Sequence, residues 1–263
     1  GNEGVVTAVC EPHHLARKRV AERLGKDPDS ITITSDVAGL IASGIDVAFV
    51  TSPDDTHAEV TCPLLEAGIP VYLEKPLAVT MATATKILTT AFETGTKLYV
   101  GHNMRHMNVV RSMRDLIRTG RIGEVKAIWC RHFVGSGGDF YFKDWHATRE
   151  HGTGLLLQKA AHDIDVMHWF ADSYTADVVG MGGLTLYDQI TDRRDNSDQL
   201  MGDWYSLDNW PPLTQKGLNP VIDVEDISMM LMRMDSGVFA SYQQCHYTPD
   251  YWRNYTVIGT EGR

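Results

Sequence analysis

The chain has 263 residues, with 24 Lys and Arg against 34 Asp and Glu, a formal charge of −10 at pH 7. With 43% hydrophobic and 22% charged residues the composition is that of a globular protein, which excludes disordered, collagenous and coiled-coil chains. The acidic balance speaks against a nucleic-acid partner, and no apolar run approaches the ~20 residues that span a bilayer. At this length one core usually gives way to two, so two domains are expected.

Cys10, Cys62, Cys130 and Cys245 lie far apart, without CxxC or metal-ligand spacing, and read as buried thiols of a reducing, cytoplasmic compartment. The chain opens Gly-Asn-Glu-Gly rather than with Met, which leaves open a leader upstream of residue 1.

From Val5 to Cys10 an apolar run predicts a strand, and Ala16, Val20 and Leu24 recur at helical spacing up to a stop at Gly25. A strand at 31–33 and a helix at 36–42 follow. Asp46 to Thr51 is almost continuously apolar, as in a strand buried on both faces. A helix over 57–67, a strand at 71–73, a helix over 81–93 and a strand at 97–100 complete the alternation. This is the pattern of a doubly wound α/β domain with a parallel sheet.

Such sheets bind ligands beyond the carboxyl ends of their strands. The polar residues falling there are Glu11, Thr51-Ser52-Pro53, Glu74-Lys75 and Gly101-His102-Asn103. An acid at a strand end is the usual partner of an adenine-ribose diol, about 20 residues after a glycine-rich phosphate turn. Only ten residues precede Glu11 and no G-x-G-x-x-G occurs, so that turn would lie upstream of residue 1. Glu11 reads equally well as a helix-start acid favoured by the helix dipole.

Past Asn103 the rhythm changes. Val109, Met113, Leu116 and Ile117 mark a helix ended by Gly120, and strand-like runs follow at 125–133, 178–186, 224–234, 238–247 and 255–258. Asp235-Ser236-Gly237 is a hairpin turn between two of them. The second domain is therefore an α+β unit with a large, open, mostly antiparallel sheet. Met229, Met230, Met232 and Met234 occupy both faces of one strand; core packing is the default for them, but a sheet apolar on both faces asks for two covers, for which a second subunit is one candidate. Two long loops, 135–154 and 188–220, stand out as functional or disordered segments. The chain stops at Thr260-Glu261-Gly262-Arg263 directly after a strand, which reads as a cut.

Between Leu155 and Phe170 an apolar helix carries Gln158, Lys159, His162, Asp163 and Asp165. Helical spacing puts Lys159 beside His162 and Asp163, with Gln158 one turn before His162. Lysine and histidine in apolar sequence are costly unless they line a cleft or find partners; a satisfied core histidine and a snorkelling lysine are the alternative. The eleven histidines are scattered, and only His102 and His106 share an i,i+4 spacing, so no metal site is expected.

With these residues in place, the sequence resembles the glucose–fructose oxidoreductase, inositol dehydrogenase and MocA family of dinucleotide-dependent oxidoreductases. The residues that carry the resemblance are Glu11, Thr51-Ser52-Pro53 with His57, Glu74-Lys75-Pro76, Gly101-His102-Asn103-Met104-Arg105, Gly120-Arg121-Ile122-Gly123-Glu124-Val125, His162-Asp163-Ile164-Asp165 and Gly259-Thr260-Glu261-Gly262. The resemblance implies a Rossmann-type domain over 1–102, incomplete at its start, and a substrate and oligomerisation domain over 103–263. The cofactor is then NAD by preference, or NADP, and the open sheet implies a homodimer or homotetramer. Glu11 would hold the adenine ribose, and Thr51, Ser52, Pro53 and His57 would flank the dinucleotide. Glu74 would meet the nicotinamide ribose and Lys75 would stand between cofactor and substrate, with Asn103 near the cofactor. Lys75, His162 and Lys159 are the implied catalytic group, and Arg105, Trp145, Gln158 and Asp163 the implied substrate contacts. Many members carry Asp four residues before the histidine; here that position is Gln158, and Lys159 beside it would take over some of the polar work.

The chemistry implied is hydride transfer to or from a sugar, polyol or similar polyhydroxylated substrate. Neutral imidazole, with an unperturbed pKa of ~6.5, can take the hydroxyl proton, and a lysine cation can stabilise the alkoxide. A glycosidase that retains its NAD and a dinucleotide-sensing regulator without catalysis are the two alternatives.

Overall fold

A computed structural model describes residues 4–135, 137–207 and 209–263. Most of the opening tetrapeptide, and Ser136 and Asp208 in the two long loops, lie outside the described residues. The chain divides after Gly101 into two compact units, one residue before the boundary expected from sequence.

In the first unit β1 (Ala8–Cys10) leads to α1 (His14–Lys18) and α2 (Val20–Leu24), two short helices where the spacing predicted one. They meet at Arg19, whose ψ of 0° departs from helical values, and Gly25 closes α2 in the left-handed region. Then come β2 (Thr32–Thr34), α3 (Val37–Ala42), β3 (Ala48–Val50), α4 (His57–Glu66), β4 (Val71–Leu73), α5 (Met81–Thr94) and β5 (Leu98–Val100). Asp36 caps α3 by accepting from Gly39 N at 2.7 Å, and Thr80 and Thr83 cap α5 reciprocally.

All five strands run parallel, β1 with β2 and β3–β4–β5 as a second sheet. Leu64 and Leu65 of α4 and Ile87 of α5 pack on Val50, Val71 and Leu73 to form the core. The expectation that the strand at 46–51 is buried on both faces is corrected. Ala48 and Val50 are buried, but Phe49 is 70% exposed and stacks along Tyr72 and Tyr99 on the opposite face. An apolar run specifies what could be covered, and α4 and α5 cover one side only.

The second unit contains α6 (Asn108–Arg118), β6 (Val125–Phe133), α7 (Gly137–Phe142), α8 (Arg149–Gly152), α9 (Leu155–Ala171), β7 (Thr175–Gly183), α10 (Met201–Trp204), β8 (Ile227–Met234), β9 (Phe239–Cys245) and β10 (Trp252–Gly259). The sheet order is β10–β6–β9–β8–β7, antiparallel except for the parallel β6–β9 pair. Gly237, with φ +85°, makes the β8–β9 turn. Along β8, Met230, Met232 and Met234 are buried under α9 while Met229 and Leu231 face outward.

The excursion between β7 and β8 is pinned by buried polar side chains. Asp226 accepts from the backbone N–H groups of Thr185, Leu186 and Tyr187, and the Asn196 amide donates to the carbonyls of Lys143 and Gly217, each at 2.9 Å. All four cysteines are free thiols, and among the described residues no helix is long and apolar enough to cross a membrane.

Candidate active site

In the first unit the polar residues expected at the strand ends stand there. Glu11 follows β1, and its Oε1 accepts from His13 N at 2.9 Å, while Arg17 donates to the Glu11 carbonyl at 2.8 Å. Thr51, Ser52 and Pro53 follow β3, and the Thr56 hydroxyl donates to Ser52 Oγ at 2.7 Å. Glu74 and Lys75 follow β4, with Glu74 Oε2 accepting from Lys75 N at 3.2 Å. Both are half-buried.

His57 sits deeper than its neighbours. Expected beside the dinucleotide, it is 1% exposed, its Nδ1 2.8 Å from the Pro76 carbonyl and its Nε2 3.1 Å from the Ser52 carbonyl. The imidazole therefore braces the turns after β3 and β4 against each other. Gly101 follows β5 where a Cβ would come within 2.7 Å of the Tyr72 hydroxyl, so a larger residue would have to displace that side chain.

These strand ends suit the two riboses and the nicotinamide of a dinucleotide. Glu11 and Glu74 are carboxylates with acceptor capacity to spare for diol hydroxyls, and Lys75 supplies a cation. The pyrophosphate is a different matter, because the sequence holds no glycine-rich phosphate turn.

In the second unit the polar cluster expected on one helix is carried by α9. Gly154 precedes it with φ +135°, and a Cβ there would meet Glu225 Oε2 at 2.7 Å. The Glu225 carboxylate does the capping that glycine cannot, accepting from Leu156 N at 2.5 Å and from Arg149 Nη2 at 2.9 Å. Ala160, Val166, Met167 and Phe170 face the sheet. Lys159 and His162 are half-buried and Gln158 is buried. The Lys159 ammonium lies 4.8 Å from the Tyr141 ring and 5.8 Å from Phe140, both on α7, which links the loop at 135–154 to α9.

Asp163 is more deeply buried than Gln158. Expected at the substrate, it is 0% exposed. Tyr242 donates to Oδ2 at 3.1 Å, Tyr255 donates to Oδ1, His132 Nδ1 lies 3.2 Å from Oδ2 and Arg253 Nε 3.3 Å from Oδ1. Burial alone would raise its pKa, but the His132 hydrogen bond and the Arg253 charge outweigh that and hold the carboxyl below its ordinary value. Burial lowers the His132 pKa in turn, so the ring is neutral at pH 7. Arg253 Nη2 lies 2.9 Å from Nδ1 and 3.0 Å from Nε2 of the same ring, and with Nδ1–H turned to Asp163 it is Nε2 that accepts from the guanidinium. His246, 0% exposed against Tyr141 and Phe142, lies alongside, and burial puts its pKa well below the usual value.

Arg105 also finds partners in this unit. Its guanidinium fork closes on Asp165 at 2.6 and 2.7 Å and stacks over Trp169 at 5.4 Å, so it ties the start of this unit to α9. Asn103 is exposed and belongs to this second unit. Trp145 stacks on His146 at 3.6 Å.

Sequence reading missed His132, Tyr242, Arg253 and Tyr255 as partners of α9, and the buried His246 near them. A signal existed: His132 and Cys130 alternate on one face of β6, as Tyr242 and Gln244 do on β9, so polar residues occupy core-facing positions.

Comparison with known proteins decides the family. Residues 2–102 match the family of oxidoreductases with an NAD-binding Rossmann fold, and residues 110–263 match the GFO/IDH/MocA C-terminal domain. The chain belongs to the GFO/IDH/MocA family. It is 27% identical over 234 residues to 1,5-anhydro-D-fructose reductase of Ensifer adhaerens, covering 89% of this chain and 60% of that one. Myo-inositol dehydrogenase Hyg17 of Streptomyces leeuwenhoekii is 29% identical over 186 residues, covering 69% and 55%. The fold is shared with levoglucosan dehydrogenase in complex with NADH and levoglucosan, at a TM-score of 0.76 and 20% identity, over 97% of this chain and 62% of that one. The chain thus spans 60% and 55% of the two curated relatives' lengths.

Proposed function

We propose that the protein is an NAD-dependent dehydrogenase or reductase that moves hydride between the nicotinamide and a hydroxyl-bearing carbon of a sugar or polyol. The observation that carries this reading is the pairing of two sets in one chain: Glu11, Glu74 and Lys75 at parallel strand ends, and Lys159 with His162 half-buried on α9. The named activities of the relatives support it. When bound, the nicotinamide ring supplies or accepts the hydride. Glu11 accepts from the adenine-ribose diol, Glu74 from the nicotinamide ribose, and Thr51, Ser52 and Pro53 form the wall beside them, with Asn103 as a further polar contact. Lys75 stabilises the alkoxide as a cation, and His162 takes the hydroxyl proton or returns it. Lys159 adds a second cation, and Gln158 and Trp145 serve substrate binding by hydrogen bonding and stacking.

Glu11 also gives the cofactor preference. A carboxylate at the ribose repels a 2′-phosphate, so NADH is expected to bind more tightly than NADPH. Titration by nicotinamide fluorescence measures this, and tighter NADPH binding overturns the role of Glu11.

The reading includes a homo-oligomer of a cytoplasmic enzyme. The outer face of the second unit's sheet exposes Trp129, Val179, Met181, Met229, Leu231 and Phe239 together, an apolar surface of the kind that subunits cover. Sedimentation velocity is expected to give a dimer or tetramer, with Leu231→Lys shifting it to monomer. A wild-type monomer at micromolar concentration rejects this part of the reading.

A further inference from the structure

α9 is held to its sheet mostly by apolar contacts through Ala160, Val166, Met167 and Phe170. Such contacts resist separation but are non-directional, so they constrain the roll of the helix about its own axis only weakly. Asp163 constrains it strongly. Its two oxygens are met from three different strands: by His132 of β6, by Tyr242 of β9, and by Arg253 and Tyr255 of β10. Arg253 reaches further, with Nη1 3.0 Å from Met104 Sδ, so the same guanidinium touches the segment before α6. Only one roll of α9 places a carboxylate among His132, Tyr242 and Tyr255 and beside the Arg253 charge.

Neighbouring helix residues point about 100° apart, so the roll that seats Asp163 also sets the directions of His162 and of Lys159 one turn earlier. At a helix radius of about 5–6 Å, a roll of roughly 30° carries a side-chain tip about 3 Å. Displacement of ~1 Å at a reacting centre is enough to cost ~10²-fold in rate. A buried ion pair, by contrast, is weak grounds for stability, since well-packed apolar replacements often fold as well or better.

We infer that Asp163 is a positioning residue: with Arg253 it locks the roll of α9 and so aims His162 and Lys159. The inference rests on the reading of α9 as the proton-handling helix, but its geometry can be tested without turnover.

The test is the double variant Asp163→Leu with Arg253→Met in the full chain, which removes both charges together. Carbethoxylation by diethyl pyrocarbonate, mapped by peptide mass spectrometry, reads the presentation of His162, with exposed His106 as the internal control. A folded double variant is expected to change the rate at His162 at least ~5-fold with His106 unchanged, and to lower kcat for NAD reduction with myo-inositol as the probe at least ~10-fold, with the NADH Kd within about twofold. Unchanged His162 labelling in the folded double variant overturns the proposal and leaves the cluster purely structural. Should the double variant fail to fold, Asp163→Asn and Tyr255→Phe, close in shape, must show the same change in labelling, and no change in either is equally fatal. Normal turnover in His162→Ala would sink the proton-transfer reading instead, and the labelling result would stand apart from it.

Discussion

Lys75→Met is expected to lower kcat at least ~10²-fold while leaving the fold and most NADH affinity in place. The lysine follows β4, in a turn braced by His57 against the turn after β3, so its backbone does not depend on its own side chain. Methionine keeps the length and the apolar stem and removes the charge. The loss therefore measures how strongly the cation favours the alkoxide over the neutral alcohol, an interaction that grows only as the transition state is approached. It should appear in kcat and kcat/KM alike, with primary kinetic isotope effects on hydride transfer rising as chemistry becomes limiting. His162→Ala is expected to match it, removing the pH-dependent rise of oxidative turnover along with most of the rate. Near-normal turnover in Lys75→Met would reduce Lys75 to a structural part of its turn.

Acidification from pH 7 to pH 5 is expected to destabilise the second unit well before its carboxylates titrate. Burial lowers the pKa of both His132 and His246, the second well below the ordinary value. In the unfolded chain each takes up a proton near pH ~6.5, whereas the folded protein takes it up only at lower pH. The unfolded state therefore binds more protons in this window, and stability falls as pH drops below ~6.5. His246, the more deeply buried of the two, is expected to account for the larger part of this loss. Asp163 does not contribute to this slope: its folded pKa is depressed, so its stabilisation persists until pH falls through the carboxylate range and below. His246 also lacks a hydrogen-bond partner for either ring nitrogen among the described residues, so His246→Phe removes a cost rather than a contact. Urea midpoints at pH 7 and pH 5 measure the difference. The variant should lose distinctly less stability than wild type, and equal losses would show that His246 is not the acid-sensitive group.

The parts of the fold legible in sequence are those with local causes. Asp36 and Gly25 mark helix ends because the cap or the left-handed turn is made by the residue itself. The strand-end residues Glu11, Thr51 and Glu74 were legible because alternation fixes where parallel strands finish. What stayed hidden depends on residues far away in the chain. Nothing near Asp163 announces Arg253 or His132, and the same Asp-after-His spacing is compatible with a solvent-facing carboxylate. His57 looked like a ligand because its two carbonyl partners come from separate turns, and Phe49 looked buried because apolar sequence does not record which face finds a cover.

The parallel β6–β9 pair has a consequence for how the second unit comes into being. Ala127 pairs with Phe239 and Phe133 with Cys245, so the middle seam of the sheet joins strands more than a hundred residues apart, while β8 and β9 are joined by a tight turn. Local pairings lose little loop entropy and form early, whereas a seam of this span waits until most of the intervening chain is organised. His132 and Tyr242 sit on opposite sides of that seam, and Asp163 bonds to both. The contacts that orient α9 are thus among the last a newly made chain can complete, so a nascent or partly folded copy would carry the helix and its histidine without the arrangement that gives them a purpose.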